Sequence, residues 1–184
     1  LPTFDRSIFR RSSPLPDFMK NLVVFPLMIL IFIVQSVILS RLPLLSGTVD
    51  LPLLFLAAWA LQERVEMAWS WAIAAGLFAA FFSAMPPIVY FIGYLLVVLI
   101  ARFILRQVWQ LPILAMFTVS FLGTVLIHLL SFVVLRLNGS PLALDDVLTL
   151  VTLPTLFLNF LLAIPIHSLM RDLAIWVYPS EDFL

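Results

Sequence analysis

The chain of 184 residues contains no cysteine. That removes disulfides, thiolate chemistry and cysteine-based metal sites. Charge is scarce as well: Asp, Glu, Lys and Arg make up 11% of the residues, against roughly 25% in an average soluble domain. Neither sign is in excess, because ten basic residues face ten acidic ones. A balanced chain lacks the basic footprint that nucleic-acid binding requires. No G-x-S-x-G, Walker, HExxH or paired membrane-aspartate motif occurs. No acidic pair or basic residue falls in the middle of an apolar run, as an ion-coupled transporter usually requires. The expectation is therefore a protein that is not an enzyme and that carries no cofactor and no metal.

What remains is apolar. Hydrophobic residues reach 64% and the mean hydropathy is +1.18. A water-soluble fold cannot bury that much apolar surface, so the composition predicts an integral membrane protein. Residues 1–20 carry Arg6, Arg10, Arg11 and Lys20 ahead of an apolar run with no small-residue cleavage site. They read as a basic cytoplasmic segment before an uncleaved first helix. The chain opens on Leu1 and not Met, so a native start upstream is expected.

Six apolar spans are predicted within residues 21–172, followed by a cytoplasmic interfacial tail at 173–184 that holds Trp176 and Tyr178. Helix 1 covers Leu22–Leu39. Helix 2, Leu51–Gln62, rises only about 18 Å and must lean into other helices, thin the bilayer or begin earlier. Helix 3 runs Met67–Met85 and ends at Pro86-Pro87; helix 4 runs Ile88–Leu105. Helix 5 lies within Gln107–Leu135. Leu137-Asn138-Gly139-Ser140-Pro141 is a turn, and helix 6, Val147–Met170, is interrupted by Pro154 and Pro165. With both termini inside, the inner side holds Arg6, Arg10, Arg11, Lys20, Arg64, Arg102, Arg106 and Arg171, and the outer side only Arg41 and Arg136. That distribution follows the positive-inside rule. A rival with residues 51–84 as one span buries Arg64 in the membrane.

Three sets of residues are candidate sites. Ala68, Ala72, Gly76, Ala80 and Ala84 recur at every fourth position in helix 3, with Ala75, Ala79 and Ser83 beside them. Small rows let membrane helices approach closely, so this is either internal packing or a seat for a partner's helix. Polar residues inside spans form the second set: Gln35; Thr124, His128 and Ser131 on one face of helix 5; Thr152, Thr155 and Asn159 in helix 6, with His167 beyond. A mid-membrane Asn is costly unless bonded. The stripe either lines a polar pocket or satisfies carbonyls freed by the prolines. Third, Asp50, Asp145 and Asp146 fall in predicted outer loops; either Asp145-Asp146 solvate a loop and favour a helix N-terminus, or the three make an extracytoplasmic contact.

The order of features resembles a known family. A basic N-terminus precedes a span ending near Gln35. Leu42-Pro43 through Gly47 leads to Asp50-Leu51, which open a short second span. A small-residue third span carries Gly76, the fourth carries Phe91-Ile92-Gly93-Tyr94-Leu95, and the last carries Asn159 and Pro165 before Arg171. This set, spread over most of residues 21–172, resembles the MreD family of rod-shape-determining membrane proteins. The family often places an acidic residue four positions after the third-span glycine; here that position is Ala80. The resemblance implies a six-helix bundle in the bacterial cytoplasmic membrane, similar to the substrate-binding S-components of energy-coupling-factor vitamin transporters. It implies a scaffold in the cell-elongation complex, controlling cell shape and lateral peptidoglycan synthesis. The implied partners are MreC, the MreB filament, RodA and a class B penicillin-binding protein, with the loops around Asp50 and 138–146 facing MreC's periplasmic part. The alternative is an S-component itself, with a pocket among helices 1, 5 and 6. Those subunits typically carry an Ala-x-x-x-Ala face in the first span, which Val23-Val24 through Val37-Ile38 lack.

Overall fold

The computed structural model describes residues 24–37, 46–65, 68–107 and 111–178. The basic segment 1–20, Arg41, Leu42-Pro43 and the end of the tail at 179–184 lie outside the described residues. Among the described residues every regular element is a helix: α1 Val24–Val37, α2 Leu51–Ala60, α3 Ala68–Phe82, α4 Pro87–Gln107, α5 Pro112–Leu137 and α6 Leu144–Val177. α4, α5 and α6 are long and apolar enough to cross a membrane, and α1, α2 and α3 are shorter apolar helices. Large apolar side chains such as Phe103, Phe157 and Leu161 point outward and are exposed. A helical bundle with an apolar perimeter is the arrangement that lipid demands, because helices satisfy their backbone internally.

The bundle is built around α2. Asp50 caps it: its Oδ1 accepts from the Leu53 amide at 3.0 Å, and Pro52 sits in the first turn, where no amide is missed. All ten residues of α2 are buried, and it packs against α1, α3, α4, α5 and α6. A helix apolar on every side belongs inside. Of the three ways open to so short a helix, α2 takes the first, since its neighbours enclose it.

At the far end of α2 the chain is closed by apolar packing. Trp59 lies 4.4 Å from Trp71, centroid to centroid, and 6.2 Å from Tyr178. The Gln62 amide side chain donates back to the Ala58 carbonyl. The Arg102 guanidinium donates to the Gln62 and Val65 carbonyls. A cation there satisfies acceptors of the loop that follows α2.

The last two helices differ from expectation at their ends. The α5 terminus is a Schellman turn: the Gly139 amide donates to Arg136 and the Ser140 amide to Leu135, with Gly139 at φ 85°. α6 starts at Leu144, so Asp145 and Asp146 occupy its exposed first turn, where acidic groups suit the helix dipole. It then runs 34 residues, past Arg171 to Val177. Residues 173–177 of the expected tail are therefore helix. Pro154 does not break α6; the six residues Val147–Thr152, just before Leu153, widen into a π turn.

Candidate functional site

The chain between α1 and α2 does not stay at the end of the bundle. Residues 46–50 run inward, so that Asp50 meets Asn159, about halfway along α6. Non-helical backbone buried this deep needs a partner for every polar group. Side chains supply them. Gln35 of α1 grips the segment with both ends of its amide, donating to the Val49 carbonyl at 2.6 Å and accepting from the Leu51 amide at 3.0 Å. On the other side, Thr155 Oγ1 accepts from the Thr48 amide at 3.2 Å, and Asn159 Oδ1 accepts from the Asp50 amide at 3.0 Å. The Ser46 amide donates to the Leu150 carbonyl. In a regular helix that acceptor would face residue 154, a proline with no N–H to give.

Gly47 makes the passage feasible. A Cβ there would lie 2.7 Å from the Thr155 amide nitrogen and 2.9 Å from the Val151 carbonyl oxygen. Both are backbone atoms that cannot swing aside, so only glycine allows this approach. Behind the segment, Asn159 Nδ2 donates to Thr124 Oγ1 at 2.9 Å, and Thr124 donates to the Ser120 carbonyl at 2.7 Å. His128 Nδ1 lies 2.9 Å from Thr152 Oγ1, whose own proton goes to the Val147 carbonyl. The hydroxyl proton being committed, His128 donates through Nδ1.

The inward segment leaves a cavity of about 530 Å³ at its end of the bundle. Gln35, Ser36, Thr48, Asp50, Ser83, Tyr90, Tyr94, His128, Ser131 and Thr155 give its polar lining, and Phe32, Phe82 and Phe132 are among its apolar members. This volume falls in the range of small-molecule sites. Asp50 is half-buried; its Oδ1 accepts from Leu53 and has Tyr94 Oη at 3.5 Å.

Of the polar candidates, Gln35, His128 and Ser131 line the cavity, whereas Thr124, Thr152 and Asn159 are buried between helices: Asn159 holds the segment, Thr124 holds Asn159, and Thr152 meets His128. His167 is buried in α6, with its Nδ1 unpartnered among the described residues. Asp50 parts from Asp145 and Asp146. Those two are exposed, but Asp50 is turned inward as the α2 cap, so it is corrected from a loop contact to a member of the cavity wall. Tyr90 and Tyr94 escaped the sequence reading. Their four-residue spacing, which puts both on one face of α4, was the available signal.

The small row is split. Ala68, Ala72 and Gly76 are buried, while Ala80 and Ala84 are exposed. A four-residue step overshoots the 3.6-residue turn, so the row winds off the packed face by Ala80, and Ala84 lies beyond the end of α3 at Phe82. Ala75 and Ala79 continue the buried stripe instead. Gly76 faces α4, where a Cβ would meet the Phe91 ring at 2.6 Å; a Cβ at Gly93 would meet Ile127 of α5 at 2.7 Å.

No family model matches the chain, and neither a curated protein nor a solved structure matches it.

Proposed function

We propose that this chain is a non-enzymatic scaffold of the MreD kind in the bacterial cytoplasmic membrane, crossing it six times with both termini in the cytoplasm. It binds MreC and, through the larger complex with MreB, RodA and a class B penicillin-binding protein, takes part in shaping lateral wall synthesis. The observation that carries the reading is the shared role of the residues behind the resemblance. Gln35, Gly47 and Asp50, from one stretch of the chain, and the distant Asn159 build one interlock around residues 46–50. Gly76 and Gly93 are close-approach points between successive helices. These residues assemble a bundle. The excess of basic residues on one side supports the six-span orientation.

With Ala68, Ala72 and Gly76 engaged inside, Ala80 and Ala84 are the part of the row left for a partner's helix. Gly76→Leu is expected to abolish the folded monomer in detergent, because the Phe91 ring stands in its way. Ala80→Leu is expected to leave the monomer intact and lower the recovery of MreC in co-purification. Recovery of the wild-type chain with an ATPase and its membrane coupling subunit, and never with MreC, would overturn the scaffold.

The cavity favours a second reading, the S-component of a vitamin transporter. Tight retention of a vitamin-sized molecule through purification would select it.

A further inference from the structure

The cavity wall has an uncompensated feature. Both hydrogen bonds of the Asp50 carboxylate use Oδ1, and Oδ2 meets no donor among the described residues. Asp50 takes part in no ion pair among them, and the cavity lining they form contains no Lys or Arg. An ionised carboxylate withdrawn from bulk water is costly without a counter-charge. Beside it stand Tyr90 and Tyr94, with ring centroids 5.5 Å apart, and Phe32 and Phe82 complete an aromatic wall. Aromatic faces around an acidic group attract a cation through their quadrupoles, and weakly hydrated ammonium groups best of all.

We propose that this cavity binds an organic ammonium group, seated between the Asp50 carboxylate and the rings of Tyr90 and Tyr94. Two sources share that chemistry: a free small cation, and the headgroup of a zwitterionic lipid entering from the membrane. The proposal rests on the cavity and not on MreC binding, so loss of MreC capture leaves it standing.

The test uses the full chain in phosphatidylglycerol nanodiscs, with thermal unfolding followed by tryptophan fluorescence. Choline chloride is titrated against 3,3-dimethyl-1-butanol, its neutral isostere, at ionic strength held constant with sodium chloride. Choline at ten times its dissociation constant is expected to raise the midpoint by about 3–6 °C, by mass action on the folded state, and the isostere not to raise it. Asp50→Asn keeps a good helix cap and is expected to lose the choline response. Tyr90→Leu is expected to weaken choline binding several-fold, and it carries the test if Asp50→Asn does not fold. In phosphatidylcholine nanodiscs, a lost choline response assigns the site to the lipid headgroup, and a retained one to the free cation. Equal shifts from choline and its isostere, no shift in phosphatidylglycerol, or responses unchanged in the variants would each overturn the proposal.

Discussion

The two ends of α2 are closed by different physics. At Trp59 the bundle shuts by apolar contact: two indoles and a phenol ring pack at tilted angles, and Arg102 holds the loop carbonyls outside them. At Asp50 it shuts by hydrogen bonds, because extended backbone enters where a helix would otherwise stand. Apolar packing fills space to near crystal density. A hydrogen-bonded strap holds its own backbone but does not fill the volume beside it. The cavity at the Asp50 end opens beside that strap, whereas at the other end the clefts lie outside the aromatic contact, among Gln62, Glu63, Arg64 and Arg102. One helix thus carries an aromatic anchor at one terminus and a hydrogen-bonded one at the other.

The contrast can be broken from either side. The largest effect is expected at the packed end. Trp59→Ala removes a side chain that is 1% exposed and should cost about 3–5 kcal/mol, read as a lower unfolding midpoint in detergent. The choline response of the molecules that remain folded should persist, since the Asp50 end is untouched.

Asn159→Leu comes next. It strands the buried Asp50 amide, at about 1–3 kcal/mol, and should speed hydrogen exchange at Thr48 and Asp50 well before exchange at Trp59 changes. Equal acceleration at both ends would mean that the bundle opens as one unit and that the contrast is false. The smallest effect is expected at the edge. Arg171 and Asp172 pair at 3.3 Å with side chains 57% and 65% exposed, so Asp172→Asn should shift stability by about 0–1 kcal/mol. A larger loss would give that surface pair a role in holding the C-terminal part of α6.

Much of this bundle was readable in the chain. Apolar runs between Pro, Gly and charged residues locate α1, α3, α4 and α5 within a few residues. Leu51–Ala60, apolar on every side, is buried as such a helix must be. The Asn138-Gly139 turn follows from glycine's tolerance of positive φ. Less was readable where two signals compete. Asp145-Asp146 read both as loop and as charges that favour a helix N-terminus, and in the bundle they form the exposed first turn of α6. Pro154 looks like a break, yet a π turn and an amide from Ser46 accommodate it.

The polar stripe shows the limit most clearly. Thr152, Thr155 and Asn159 were visible as unusual in an apolar helix, but their purpose was not. Thr155 and Asn159 satisfy amides 107 and 109 residues away in sequence, and no local pattern encodes a pairing at that distance. The small row of α3 has the same lesson in reverse. Its spacing is plain in the chain, but which half is buried depends on where α4 and α1 lie.

The sequence by itself determined the solvent this protein belongs in, the places where helices form and the polar groups that need partners, because hydropathy, proline and glycine act locally. The tertiary structure decided which partners those groups found. Only the packed bundle turns residues 46–50 inward, aims Asp50 at a cavity rather than at water, and makes α2 the centre. These outcomes follow from satisfying buried backbone across long chain separations, which is a property of the whole assembly of helices and of no single stretch.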